Sequence, residues 1–391
     1  MKPDVLLQAA QELQPKLVEL RRKLHSYPEL SMQEVETTRT IAELLAAEGI
    51  KLLPMDLPVG VLAEVSGPVP GPTVALRADI DALPVQEETG LPFASTVAGK
   101  MHACGHDFHT AGMVGAALLL HRFAEQMKGT VRILFQPAEE KGTGAKAMIG
   151  AGALEGVKAI FGMHNKPELP VGTIGLLPGP LMASVDGFRI RVNGKGGHAA
   201  IPHRAIDPIV AASAIVGSLQ TVVSRSLSPF DSAVLSICSF HAGTTWNVIP
   251  DQAVLDGTVR TFDPEVRRSI PQLLERLAAG IASGYGAEID LSWYAGIPSV
   301  TNDPAMVDIV REAAGALDLQ VTEAQRSSGG EDFAHYQEQV PGCFLWMGTS
   351  GTEEWHHPRF TLNEDALVPS SALFALTAIQ ALKRLGSDGQ L

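Results

Sequence analysis

The change of texture near Ala183 narrows the fold more than any other feature of this chain. Before it, short runs rich in β-branched residues and bounded by Gly or Pro ("VGVLAEVSG", "GPTVALRADID", "GTVRILFQPAEE", "GVKAIFGMHN", "GTIGLLPG") are interspersed with the helical spacing of "FHTAGMVGAALLLHRFAEQM". Strands and helices in that order build a layered α/β sheet, with strand-end loops available for a site. After it, "VDGFRIRVNGKGG", a helix "IDPIVAASAIVGSLQTVVSR", "AVLSICSFHAG", "QAVLDGTVRTF", a helix "EVRRSIPQLLERLAAGIAS" and "AEIDLSWYA" follow the β-α-β-β-α-β order of a ferredoxin-like unit. Residues 183–294 are therefore expected to form an inserted α+β domain, and residues 1–182 and 295–391 a single α/β domain. Two helices, "VLLQAAQELQPKLVELRRKLH" and "MQEVETTRTIAELLAAEGI", open the chain, and "SALFALTAIQALKRL" closes it ahead of a tail, "GSDGQL", expected to be mobile.

Composition excludes several functions. A chain of 391 residues with 45% hydrophobic side chains can bury a real core. A formal net charge of -13 opposes binding to nucleic-acid backbones or anionic lipid. The opening "MKPDVLLQAAQELQ" lacks the apolar core and cleavage site of a signal peptide, and no run is expected to reach the ~18 apolar residues of a membrane span. These readings predict a cytoplasmic protein. The three cysteines are too scattered for a disulfide framework. Cys238 and Cys343, both in apolar strand-like runs, are expected in the core, whereas Cys104 has different neighbours.

"MHACGHDFH" gathers one thiol, one carboxylate and three imidazoles. In extended backbone Cys104 and His106 point the same way, which suits two ligands on one metal; a structural Cys-x-His loop fits the same spacing. His102 and His109 are read as supports for those ligands. Glu139-Glu140 follows an apolar strand, so one carboxylate can ligate while its neighbour faces bound water, or both can open an exposed loop. His164 ends the strand "AIFGMHN", His356-His357 lies in a loop stiffened by Pro358, and Asp79 and Asp81 are two apart at another strand end. Taken singly, these are loop or capping residues. Together, soft and hard donors gathered at strand ends can hold two divalent ions beside a spare carboxylate base, which points to two-metal hydrolysis. A Cys104 nucleophile with a His base stays open but leaves Glu139-Glu140 without a role. There is no G-x-S-x-G elbow and no G-x-x-x-x-G-K-[ST] phosphate loop.

In this order, "RADIDALPV", "HACGHDFHTA", "FQPAEE", "FGMHN", "GKGGHAAIPH", "NVIPD" and "HHPRF" resemble the amidohydrolase branch of the M20 metallopeptidases, which includes hippurate hydrolases, N-acyl-amino-acid amidohydrolases and auxin-conjugate hydrolases. The resemblance covers nearly the whole chain. It implies a di-metal catalytic domain interrupted by a lid or dimerisation domain, with Cys104, His106, Glu140, His164 and His356 as metal ligands and Glu139 as the catalytic carboxylate. Asp81 matches an acid that orients a ligand, and "SSGGEDFAHY" matches a further motif, although Glu331 and Asp332 also suit a helix N-terminus. Many relatives read Gly-His-x-Asp where this chain has Ala78-Asp79-Ile80-Asp81, so their first metal histidine is missing here.

The activity this resemblance implies is metal-dependent hydrolysis of N-acyl amino acids, with zinc or manganese as the metal and cobalt also suitable. His198 would face the oxyanion, Asn247 and Arg260 would meet the substrate, and the chain would be a homodimer or larger homo-oligomer. A dipeptidase or aminopeptidase of the same family, or a catalytically silent metal-binding homologue, are the alternatives.

Overall fold

A computed structural model describes residues 2–387. The chain forms two compact units, one of Met1–Leu181, Thr301–Gln325 and Asp332–Leu391, the other of Met182–Val300 with the short return Arg326–Glu331. The described chain runs to Ser387 within the last helix, and the remainder of the "GSDGQL" tail lies outside the described residues.

The first unit is built on an eight-stranded sheet. Its centre is four neighbouring strands, Lys128–Gln136, Val69–Asp79, Val157–Lys166 and Gly342–Gly348, each parallel to the next. These strands read as nearly unbroken apolar runs because both faces are covered, and Gly342–Gly348 is buried throughout. Parallel pairing sets the carboxyl ends of all four at one edge, where α/β folds place their sites. The edge strand Lys51–Leu53 and its neighbour Val61–Ser66 run antiparallel, as expected where hairpins replace crossovers.

The helix His106–Arg122 is buried from His106 to Leu120 and packs against Pro3–Ser26 and Leu367–Ser387. Close approach of these helices relies on Gly115. A Cβ there would lie 2.2 Å from Ser371 Oγ and 2.7 Å from Leu17 Cδ1. Ser371 cannot simply swing aside, because its hydroxyl donates to the Gly112 and Leu367 carbonyls.

The second unit has a four-stranded antiparallel sheet in the order Ala233–Ala242, Gln252–Thr261, Val185–Asn193, Glu288–Ile297, with helices Pro208–Thr221 and Pro264–Gly284 packed together over it. The ferredoxin-like order is thus present. Asp-Pro pairs start both helices and, in the first unit, Pro304–Ala316. Asp207, Asp263 and Asp303 each accept first-turn amide protons, and the following Pro presets the first helical φ.

Two expectations are corrected. Cys343 is buried but Cys238 is exposed, because Leu235 and Ile237 of its edge strand pack toward the core and alternation turns the next side chain outward. Pro208–Ser226 and Glu364–Gly386 are long and apolar enough to cross a membrane, since uncharged Ser, Thr and Gln interrupt their apolar runs without adding charge. The window in Glu364–Gly386 is 83% buried as a core helix, against 28% for Pro208–Ser226.

Gly115→Val is expected to destabilise the chain by about 1–3 kcal/mol in urea denaturation, the usual cost of overpacking a close helix contact. An unchanged midpoint would show that the helix pair can separate freely.

Candidate metal centre

The strand Val69–Asp79 delivers Asp79 and then Asp81 to the carboxyl edge of the sheet, Lys128–Gln136 delivers the turn carrying Glu139 and Glu140, and Val157–Lys166 delivers His164. Cys104 and His106 flank Gly105, the residue before the helix His106–Arg122. Gly105 has φ +84°, and a Cβ there would stand 2.5 Å from Asn165 Nδ2, so this corner needs glycine on both counts. His356 joins from the late loop, where its N–H donates to the Ala103 carbonyl at 2.8 Å.

Cys104, His106, Glu140, His164 and His356, the ligands implied by sequence, come together. Ligand atoms of Cys104, His106 and His164 lie within 4.8 Å of one another, as do those of Cys104, Glu140 and His356, and those of His106, Glu139 and Glu140. Hydrogen bonding selects which atoms are free to ligate. His106 Nδ1 is 3.2 Å from Asp81 Oδ1, while its buried Nε2 has no hydrogen-bond partner. Glu140 Oε1 is likewise buried without one, and lies 3.3 Å from His356 Nε2. His164 Nδ1 donates to the Asn165 carbonyl at 2.9 Å, so Nε2 carries the lone pair, 3.2 Å from Cys104 Sγ. Buried donor atoms without partners, aimed at one another, are what a cation would satisfy.

A neighbouring group, Asp79, His106 and His109, shares His106 but has a carboxylate in place of the thiol, and its character differs. His109 Nε2 accepts the Asn165 N–H at 2.9 Å and its Nδ1 donates to Asp79 at 2.6 Å, so both ring nitrogens are spent. Asp79 also takes Arg77 Nη1 at 2.8 Å. His109 and Asp79 therefore brace the centre. His102 is buried and close by, but it is outside the convergent set. His357 is 37% exposed in its side chain and faces Glu353.

Asp81 holds the arrangement together. Its Oδ1 accepts from Glu139 N at 3.1 Å besides facing His106, and its Oδ2 accepts from Ser31 Oγ at 2.7 Å and Glu140 N at 3.1 Å. Glu139 is buried, and its carboxylate meets the Asp332 amide at 3.4 Å. Asp332 is bound in turn by Arg77, Gln136 and the Ala145 amide.

The electrostatics suit a cation. Burial opposes the charged form of His106, but Asp79, Asp81 and Glu140 outweigh it and push the ring up to about 10. Burial, with Glu140, Glu139 and Asp79 nearby, raises the Cys104 thiol well above its usual value. Burial lifts Asp332 to about 6 despite Arg77. His164 is pushed down by burial and by His109 and His106, which keeps it neutral and able to ligate. Divalent cations would relieve this excess of buried acid and convert the thiol to a thiolate ligand.

Sequence reasoning missed Asn165, Arg77, Ser31, Glu34, Arg21 and His25. Asn165 and Arg77 sat inside quoted motifs, "FGMHN" and "RADID", without a role. Asn165 ties the loops together: its Nδ2 donates to the Cys104 carbonyl at 2.6 Å and its carbonyl accepts from Trp355 Nε1 at 3.1 Å.

In the second unit, His198 pairs with Val248 across short strands, and Ala199 N donates to the Asn247 carbonyl at 3.2 Å, so these two predicted residues adjoin, both exposed. Arg260 lies on another strand with its guanidinium on Thr258 Oγ1 and the Val259 carbonyl.

A layered α/β sheet with convergent thiol, imidazole and carboxylate donors at its carboxyl edge defines a metal-dependent hydrolase. A profile of peptidase family M20/M25/M40 matches residues 75–380. N-acetylcysteine deacetylase of Bacillus subtilis (strain 168) is 56% identical over 371 residues, covering 95% of this chain and 98% of that protein. IAA-amino acid hydrolase ILR1-like 2 of Arabidopsis thaliana is 38% identical over 385 residues, covering 96% and 87%. The crystal structure of the Bacillus subtilis YXEP protein, a dinuclear metal binding peptidase from the M20 family, has a TM-score of 0.89 at 53% identity and covers 95% of this chain and 99% of that one. The chain belongs to peptidase family M20/M25/M40, in its amidohydrolase branch.

Behind the Cys104–His106 loop, Asp107 accepts from Arg21 Nε at 2.7 Å and faces His25 Nδ1 at 2.9 Å, all three being buried. Burial would raise the Asp107 pKa, but Arg21 and His25 hold it far below the ordinary 3.8. Burial would lower that of His25, but Asp107 and Glu87 raise it above 6.5. The Asp107 contribution to stability is thus present above about pH 4 and lost as acid titrates the folded carboxylate, while that of His25 is complete below about pH 6.5 and fades as base deprotonates the folded ring. Asp107→Asn is expected to cost the metal-free chain about 3–5 kcal/mol in urea denaturation between those limits and less on either side. A penalty independent of pH would refute this ion-pair account.

Proposed function

We propose that this chain hydrolyses the amide bond of N-acyl amino acids, releasing a carboxylic acid and a free amino acid, with Glu139 as general base and then general acid. The observation that carries the reading is the buried Glu139 carboxylate beside the convergent donors of Cys104, His106, Glu140, His164 and His356. These five residues are assigned as ligands of two divalent ions. Zinc is favoured by the thiolate, and manganese or cobalt is also suited to the nitrogen and oxygen donors. When bound, the ions supply Lewis acidity that makes water a better nucleophile and draws electron density from the amide carbonyl.

The protein's own groups do the rest. The Glu139 carboxylate takes a proton from the attacking water and returns it to the departing amine nitrogen. Asp81 fixes the His106 tautomer and, through the Glu139 and Glu140 amides, the direction of the base. Residues 183–294 are assigned as a lid and dimerisation domain. There, His198 donates a hydrogen bond to the oxyanion, Asn247 binds the substrate, and the Arg260 fork takes its free carboxylate. A homodimer through this unit is supported by its edge strand Ala233–Ala242, on which Val234 and Phe240 are exposed. A small acyl group, acetyl above all, is supported by the names of two relatives, both N-acetylcysteine deacetylases of Bacillus subtilis, at 56% and 49% identity. We place the enzyme in the cytoplasm.

The test is amine release from N-acetyl, N-benzoyl and N-indoleacetyl amino acids and from dipeptides, after metal stripping and reloading with zinc, manganese or cobalt. Metal-dependent cleavage of the acyl conjugates is expected, and cleavage confined to dipeptides with a free amine would make the chain a peptidase instead. Glu139→Gln is expected to lose about 10²- to 10⁴-fold in kcat while keeping its metal. Turnover at the wild-type rate in that variant would remove Glu139 from the mechanism.

A further inference from the structure

The turn that carries Glu139 is held from behind by a segment with no part in the ligand set. After Gln136 the chain passes through Pro137 to Ala138, which sits at φ +54°, a left-handed conformation unfavourable for a residue with a Cβ. That turn aims the next two amides, Glu139 N and Glu140 N, at the two oxygens of Asp81. The Ala138 N–H donates at 2.8 Å to Glu34 Oε1, a fully buried carboxylate at the start of the helix Val35–Ala47. Three residues earlier, Ser31 Oγ donates to Asp81 Oδ2 at 2.7 Å, and the Ser31 carbonyl accepts from Lys141 Nζ at 3.3 Å. The strap is anchored at its other end where Ala82 N donates to the Glu29 carbonyl at 2.8 Å. Residues 29–34 therefore touch the chain immediately before the base, immediately after the Glu139-Glu140 pair, and at the acid both amides share.

We infer that Glu34, with Ser31, is a positioning residue for the general base: it holds the left-handed Ala138 turn and thereby sets where the Glu139 carboxylate points. This rests on the assignment of Glu139 as the base. Glu34 holds the turn through the hydrogen bond that its Oε1 accepts from Ala138 N, and that contact needs an acceptor oxygen and not a charge. Burial pushes the Glu34 carboxyl up to about 7, which agrees with a group whose neutral form serves. A glutamine keeps the acceptor, and an alanine leaves the buried Ala138 N–H without one.

The test compares Glu34→Ala, Glu34→Gln, Ser31→Ala and Glu139→Gln as full-length, zinc-loaded proteins on one N-acetyl amino acid, recording kcat, KM, bound metal and the melting temperature. Glu34→Ala is expected to lose about 10- to 100-fold in kcat, the scale of a displaced catalytic group, with KM within about 2-fold. Its metal content is expected to match wild type. Glu34→Gln is expected to recover most of that loss. Ser31→Ala, which removes one hydrogen bond and no buried charge, is expected to lower kcat in the same manner with its fold intact. A wild-type kcat in Glu34→Ala overturns the proposal, as does a loss that glutamine fails to rescue or one that follows loss of metal. Normal turnover in Glu139→Gln overturns the base assignment and the strap with it, whereas loss in Glu139→Gln with none in Glu34→Ala overturns the strap alone.

Discussion

The carboxylate of Asp81 is the constraint on which the catalytic unit depends. It is buried, and its two oxygens are engaged by the His106 ring, the Ser31 hydroxyl and the successive amides of Glu139 and Glu140. Burial alone would raise its pKa, but His106 and Ser31 hold it below the ordinary carboxylate range, so the acceptor stays ionised and strong. One side chain thus fixes the tautomer of a ligand and the heading of the base. With both oxygens committed in this way, Asp81 serves as an organiser of ligands.

A buried site rich in acids is costly unless each charge has a partner. Arg77 meets that need by bridging Asp79 and Asp332, and Arg21 and His25 do the same for Asp107 behind the Cys104–His106 loop. Among the convergent donors, His106 Nε2 and Glu140 Oε1 are buried without a hydrogen-bond partner, where cations would satisfy them, whereas both ring nitrogens of His109 are engaged. The group of Cys104, His106 and His164 and the group of Asp79, His106 and His109 differ in this respect, because His109 and Asp79 are held by hydrogen bonds to Asn165, Arg77 and each other.

Much of this was legible in the sequence for a physical reason: ligands lie directly after apolar strands, and parallel pairing brings strand ends together whatever their separation along the chain. Glu139 and His164 could be read that way, Cys104 from the imidazoles gathered around it, and the ferredoxin-like order from alternation. Residues that act through one long-range hydrogen bond could not. Arg77 looks like an interruption in a strand, and Asn165 like the start of a loop. Glu34 lies 104 positions from the amide it receives, in what reads as an ordinary helix start. The exposed Cys238 was misread because an apolar run does not say which face of a strand is covered, and Cys238 alternates with the core-facing Leu235 and Ile237.

The most direct test of the metal-centre account is a crystal structure of the zinc-loaded protein with anomalous diffraction measured at the zinc edge. The account predicts two zinc peaks ~3.5–4 Å apart. It also predicts Cys104 Sγ at ~2.3 Å from zinc, with His106, His164, Glu140 and His356 completing the set and Asp81 outside it. A single zinc, a shell without sulfur, or Asp81 bound directly to metal would contradict it.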